Sequence, residues 1–135
     1  MQIDLTPRQF RLLLDMVYIG NWVLNSTRGD DRFQEYDDLE SLLFALCRQY
    51  GMKVLAQEED GTVIPSKAYT EGGFHEAIAF YEDIVFYQIL AEELSRRDMY
   101  YPEITDENYQ EIILRMEGYM SEFQNSGVDH LVLEK

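Results

Sequence analysis

Thr6-Pro7-Arg8-Gln9-Phe10-Arg11-Leu12-Leu13-Leu14-Asp15-Met16-Val17-Tyr18-Ile19-Gly20-Asn21-Trp22-Val23-Leu24-Asn25 is the stretch on which the fold turns. A threonine followed by proline is a helix start: the hydroxyl caps an orphan amide, and proline fits the first helical position. At ~100° per residue, Phe10, Leu13, Leu14, Val17 and Leu24 share one face. Leu12, Met16, Ile19 and Val23 form a second apolar stripe, leaving Arg8, Arg11 and Asp15 a narrow polar sector with Trp22 at its edge. A helix apolar on two sides is central to its fold or has a neighbour on each side.

Three more helices follow from the same periodicity. Gly29 marks a loop over 26–30, and a second helix is predicted from about Asp30 or Asp31 to Tyr50, with Gly51 as its stop. Its expected inward face is Tyr36, Leu39, Leu43, Leu46, Cys47 and Tyr50, with Asp37, Asp38, Ser41 and Arg48 outward. A third is predicted over 74–97. Phe74, Ile78, Tyr81, Ile84, Val85 and Ala91 lie on one side of it, with Ala79, Phe86 and Leu90 largely opposite. Pro102 drives the residue before it out of helical geometry. Thr105 then caps a fourth helix, with Tyr109, Ile112, Ile113, Met116, Tyr119, Met120 and Phe123 inside and Glu111, Glu117 and Glu122 outside. Between Gly51 and Gly73 the helical period fails. Asp60-Gly61 separates two short β-favouring runs, a hairpin signal, although an irregular excursion fits nearly as well.

The expected fold is therefore all-α: an antiparallel four-helix bundle-like domain over 1–135, with a short irregular or β-hairpin excursion between the second and third helices.

Charge and composition narrow the function classes. Eleven basic residues against 26 acidic ones give a formal net charge of −15. A phosphate surface needs Lys and Arg to displace its counterions, so direct nucleic-acid binding is disfavoured, as is an anionic membrane. No apolar run reaches the roughly 18 residues that cross a bilayer. One cysteine, Cys47, excludes an intrachain disulfide and multi-cysteine metal sites. The expectation is a soluble cytoplasmic protein without a cofactor.

Catalytic signatures are sparse. No phosphate-cradling glycine motif occurs. His75, beside Glu71 and Glu76, lacks the paired Glu-x-x-His arrangement of a helical di-iron site. Glu35-x-x-Asp38 and Glu103-x-x-Asp106 are the nearest approach to the paired acids that hold magnesium on facing helices. Cys47 lies on the expected buried side of its helix, where a thiol is inert. No catalytic residue and no metal ligand is assigned.

Polar residues on apolar stripes carry more information. Asn21 interrupts the first helix's inner face, Gln88 and Glu92 interrupt the third, and Glu40 shares a sector with Phe33 and Cys47. Buried polar groups need partners, so Asn21, Gln88 and Glu92 are expected either to fix helix register together or to line a small polar pocket. The second stripes, Leu12, Met16, Ile19 and Val23 with Phe86 and Leu90, are the expected interface of a homodimer. The reading that follows is a non-enzymatic protein-interaction or regulatory module whose partner is another protein or a second copy. Its alternatives are an acidic nucleic-acid mimic that inhibits a DNA-binding protein, and a metal-dependent hydrolase using helix carboxylates.

Overall fold

In the computed structural model, which describes residues 1–134, the chain is mostly helical, 66% helix, with one small antiparallel hairpin. Five α-helices appear among the described residues: α1 Pro7–Asn25, α2 Gln34–Ala45, the short α3 Lys67–Thr70, α4 Phe74–Asp98 and α5 Asp106–Ser126. The hairpin strands β1 Ala56–Glu59 and β2 Thr62–Pro65 lie between α2 and α3. The chain divides into two compact units, Met1–Ile78 and the remainder from Ala79. The side chain of Phe74, expected on an apolar face, lies outside the described residues.

Helices α1 and α5 start where their local chemistry says they should. Thr6 accepts a hydrogen bond from the Gln9 backbone amide while the Gln9 side chain returns one to Thr6, a complete capping box with proline beside it. Thr105 and Asn108 build the same reciprocal cap on α5. The second helix begins at Gln34, later than expected. Asp31 bonds Arg28 and the Gly29 amide instead of capping a helix, which holds the connection in turns. The segment Leu46–Tyr50 tightens into a 3₁₀ turn that ends on Gly51 in the left-handed conformation.

Asp60 and Gly61 both have positive φ, 52° and 79°, as a two-residue hairpin turn demands, and Glu59 pairs with Thr62 across it. Lys53–Leu55 forms a 3₁₀ turn, so the first strand starts only at Ala56.

In the first unit α1 and α2 run antiparallel. Asn25 meets Phe33 at one end, and Phe10 stacks on Tyr50 at the other with ring centroids 4.0 Å apart. The core is Phe10, Leu14, Phe44, Cys47 and Tyr69, with Leu5, Tyr18, Leu43, Leu55 and Val63 packed around it. Tyr69 comes from the stretch where the helical period fails, yet it is 1% exposed at the core's centre. Ser66 caps the short α3 that carries it, and the tyrosine ring packs edge-on against Phe44 and Tyr18. The expected inward face of the second helix holds in part: Cys47 is in the core with Leu43, Leu46 and Tyr50 packed against it, whereas Tyr36 and Leu39 are exposed, and Phe44 with the half-buried Glu40 turns inward instead.

The second unit is an antiparallel pair, α4 against α5. Tyr87 packs on Phe123, and Tyr119 donates to Asp98, which Arg97 also holds at 2.9 Å. Among the described residues of this unit, Ala91, Ser95, Ile112 and Phe123 are the buried ones. The chain reverses after α4 through Tyr100 and Tyr101, both left-handed, with the Tyr101 amide bonded to the Arg96 carbonyl at 2.7 Å.

Candidate functional site

Two features of the first unit stand out chemically: a closed polar knot and an open apolar groove. The knot is built on α1. Asn21 donates to Asp37 Oδ1 at 2.9 Å and to Glu40 Oε2 at 3.1 Å, and it accepts from Asn25 at 2.7 Å. Asn25, 1% exposed, clamps both backbone groups of Phe33: it donates to the carbonyl and accepts from the amide at 2.8 Å. Arg32 grips Asp37 through two nitrogens and reaches the Asn25 carbonyl. Side chains thus replace the hydrogen bonds a longer α2 would have supplied.

The partners of Asn21 all come from α1 and α2. Gln88 and Glu92, the partners expected for it, belong to the second unit, where they border a cavity of about 430 Å³ lined by Ile89, Ile113, Met116, Glu117 and Met120. Asn25 carries no expectation from the helical pattern beyond ending the first helix. The available signal was its position one turn after Asn21 on the same face.

Electrostatics within the knot follow burial. Desolvation pushes the Glu40 carboxyl above the usual carboxylate range, partly opposed by the Asn21 hydrogen bond. Asp37 moves the other way, held down chiefly by Arg32. Burial also raises Tyr18, with the Glu40 charge adding to it. Tyr18 shares a 2.7 Å hydrogen bond with His75 Nε2, whose ring also meets Trp22 edge-on. Tyr69 donates to Asp15, which pairs with Arg11, and burial followed by that bond lifts the phenol far above its ordinary value. Burial pushes the Cys47 thiol up as well, away from the nucleophilic thiolate. Among the described residues, no three His, Cys, Asp or Glu side chains converge to hold a metal ion. The Glu35/Asp38 and Glu103/Asp106 pairs gather no such set.

Comparison with protein-family models, curated proteins and solved structures finds no match to this chain. Its functional reading rests on geometry alone.

The groove runs between α1 and α2 and has a volume of about 840 Å³. One wall is the second stripe of α1, with Leu12 and Met16, and the other is Leu42, Leu43 and Leu46 of α2. Ile3 and Leu5 of the N-terminal segment border one end. The stripe continues along α1 through Ile19 and Val23, both exposed. In the second unit Phe86 is also exposed and Leu90 is half-buried. What this surface offers a ligand is apolar contact. Among the described residues no helix is long and apolar enough to cross a membrane.

Proposed function

We propose that the chain is a non-enzymatic protein-interaction or regulatory module of the cytoplasm that self-associates through its exposed apolar stripes. One observation carries this reading. The core side of α1 is fully built, with Phe10 and Leu14 at 1% and 0% exposure, while Leu12, Met16, Ile19 and Val23 on its other side remain exposed. Contiguous apolar surface of this kind costs solubility and marks interaction sites. The knot supports the same reading from the opposite direction: its polar groups satisfy one another and tie α1 to α2.

A nucleic-acid mimic would need an unbroken acidic ridge. Here Arg28, Arg32, Lys67, Arg97 and Arg115 pair with acids along the surface and interrupt it.

Sedimentation velocity on the full chain tests the proposal. Wild type is expected to sediment as more than a 16 kDa particle at tens of micromolar, and Met16→Glu as a folded species of lower mass. A wild-type monomer, or a Met16→Glu variant with unchanged mass, removes the self-associating module.

A further inference from the structure

The stripe on α1 repeats with spacings of four, three and four residues: Leu12, Met16, Ile19, Val23. That is the d–a–d–a seam of a coiled coil, and read backwards it is the same pattern. A second α1 laid antiparallel across it therefore sets Leu12 against Val23 and Met16 against Ile19, apolar on apolar at every layer. The local two-fold axis falls between Met16 and Ile19. A parallel copy is two-fold symmetric too, but it aligns the two helix dipoles, which the antiparallel pairing sets head to tail.

Gly20 lies beside this seam, in mid-helix, where glycine weakens a helix relative to alanine. Nothing in the chain explains it: its φ is not left-handed, and a Cβ added there would meet nothing within 4 Å. A glycine with open space above it, flanking an exposed seam, lets another backbone come close.

Charge restricts how a copy carrying −15 can dock, since like charges repel. Asp15, the acid closest to the α1 seam in sequence, is turned into the chain by Arg11 and Tyr69, while Asp38 stays exposed one turn before Leu42 on α2. The six side chains Leu12, Met16, Ile19, Val23, Leu39 and Leu42 are exposed by 37% to 71%. They offer on the order of 600 Å² of apolar surface per copy before any polar rim, against roughly 800 Å² per partner in a standard interface.

We infer that the occupant of this face is a second copy of the chain, docked with α1 antiparallel to α1 about a two-fold axis between Met16 and Ile19. The exposed leucines of α2 flank the contact, giving four helices from two chains. This rests on the module reading and specifies its partner and geometry.

Paired cysteine variants of the full chain test it. Cys47 is buried, so the introduced thiols are the accessible ones. A mixture of Leu12→Cys and Val23→Cys is expected to form a cross-linked dimer under mild oxidation at least tenfold faster than either variant alone. Gly20→Leu is expected to weaken dimerisation at least tenfold in sedimentation equilibrium while its far-UV circular dichroism stays helical. Cross-linking of each variant with itself would establish a parallel seam and overturn the inference while leaving self-association intact. Dimers that give no cross-link in any mixture, or that tolerate Gly20→Leu unchanged, overturn it too. A wild-type monomer at 100 µM removes both this inference and the self-associating module.

Discussion

The two units meet the same demand, apolar helices in search of cover, with different means. In the first, α1 and α2 receive a third layer: the 3₁₀ turn at Lys53–Leu55, the β1–β2 hairpin and α3 bring Leu55, Val63 and Tyr69 against them, and five residues become fully buried. In the second, α4 and α5 have mainly each other, and a helix pair buries only one stripe per helix. Phe80, Tyr81, Phe86 and Ile89 of α4 accordingly stay exposed. Polar satisfaction follows the same division. Asn21 and Asn25 are completely bonded, whereas the one buried side-chain nitrogen without a partner among the described residues is Arg96 Nε of α4. A third layer, more than helix length or periodicity, separates a finished core from an unfinished one.

Core truncation should break this contrast most sharply. Phe44→Ala empties a fully buried site ringed by Tyr69 and its neighbours, and a loss of about 3–5 kcal/mol is expected in denaturant unfolding. A loss below that of Ile112→Ala in the second unit would show that the third layer does not concentrate stability as argued.

The knot comes next. Asn25→Ala orphans the Phe33 amide and removes one donor from its carbonyl, which keeps the Tyr36 amide, and should cost about 1–3 kcal/mol. Hydrogen exchange at the Phe33 amide should accelerate with it. Unchanged protection would mean that water already serves that amide.

Local capping should matter less, and should be read in the second unit. Thr105→Ala removes the hydroxyl that accepts from the Asn108 amide, for an expected loss of about 1 kcal/mol. Fraying should appear in the first turn of α5; a loss spread evenly along that helix would point instead to a tertiary role for Thr105.

The smallest effect has the most diagnostic sign. Glu40 faces Asn21 and Asp37, feels the Arg32 charge, and raises Tyr18 in turn. Its carboxyl is raised in the folded state, so the native chain keeps a proton that the unfolded chain has released. Stability tied to this group therefore falls as pH rises from the ordinary carboxylate range through the folded value. Asp37, held low by Arg32, contributes in the opposite sense, losing its share as pH falls through its own lowered value. Glu40→Gln keeps an oxygen for Asn21 and drops the desolvated charge. The variant should gain stability over wild type at neutral pH and converge with it in acid. A variant less stable at neutral pH would make the Glu40 charge a net asset to the knot.

Much of this molecule follows from one-dimensional chemistry. The Thr6-Pro7 and Thr105 caps, the Gly51 stop, the Asp60-Gly61 turn and the clean amphipathic pattern of α5 are local effects. Each depends on residues within a turn or two of one another, so each can be read without knowing the fold. Tertiary structure decided what local chemistry leaves undetermined. Tyr69 became the centre of a core because a hairpin carried it back over α1 and α2. Asn21 found Asp37, Glu40 and Asn25 because Arg28 and Asp31 held the connection open and delayed α2 to Gln34. Helix α2 is apolar on two sides, so periodicity alone could not say which faced inward; Phe44 took the core against Tyr69, leaving Leu42 to the groove and Leu39 exposed. Local hydrogen bonding fixes where elements start and stop, but the choice between two apolar faces belongs to whichever neighbour arrives, and that neighbour is distant in the chain.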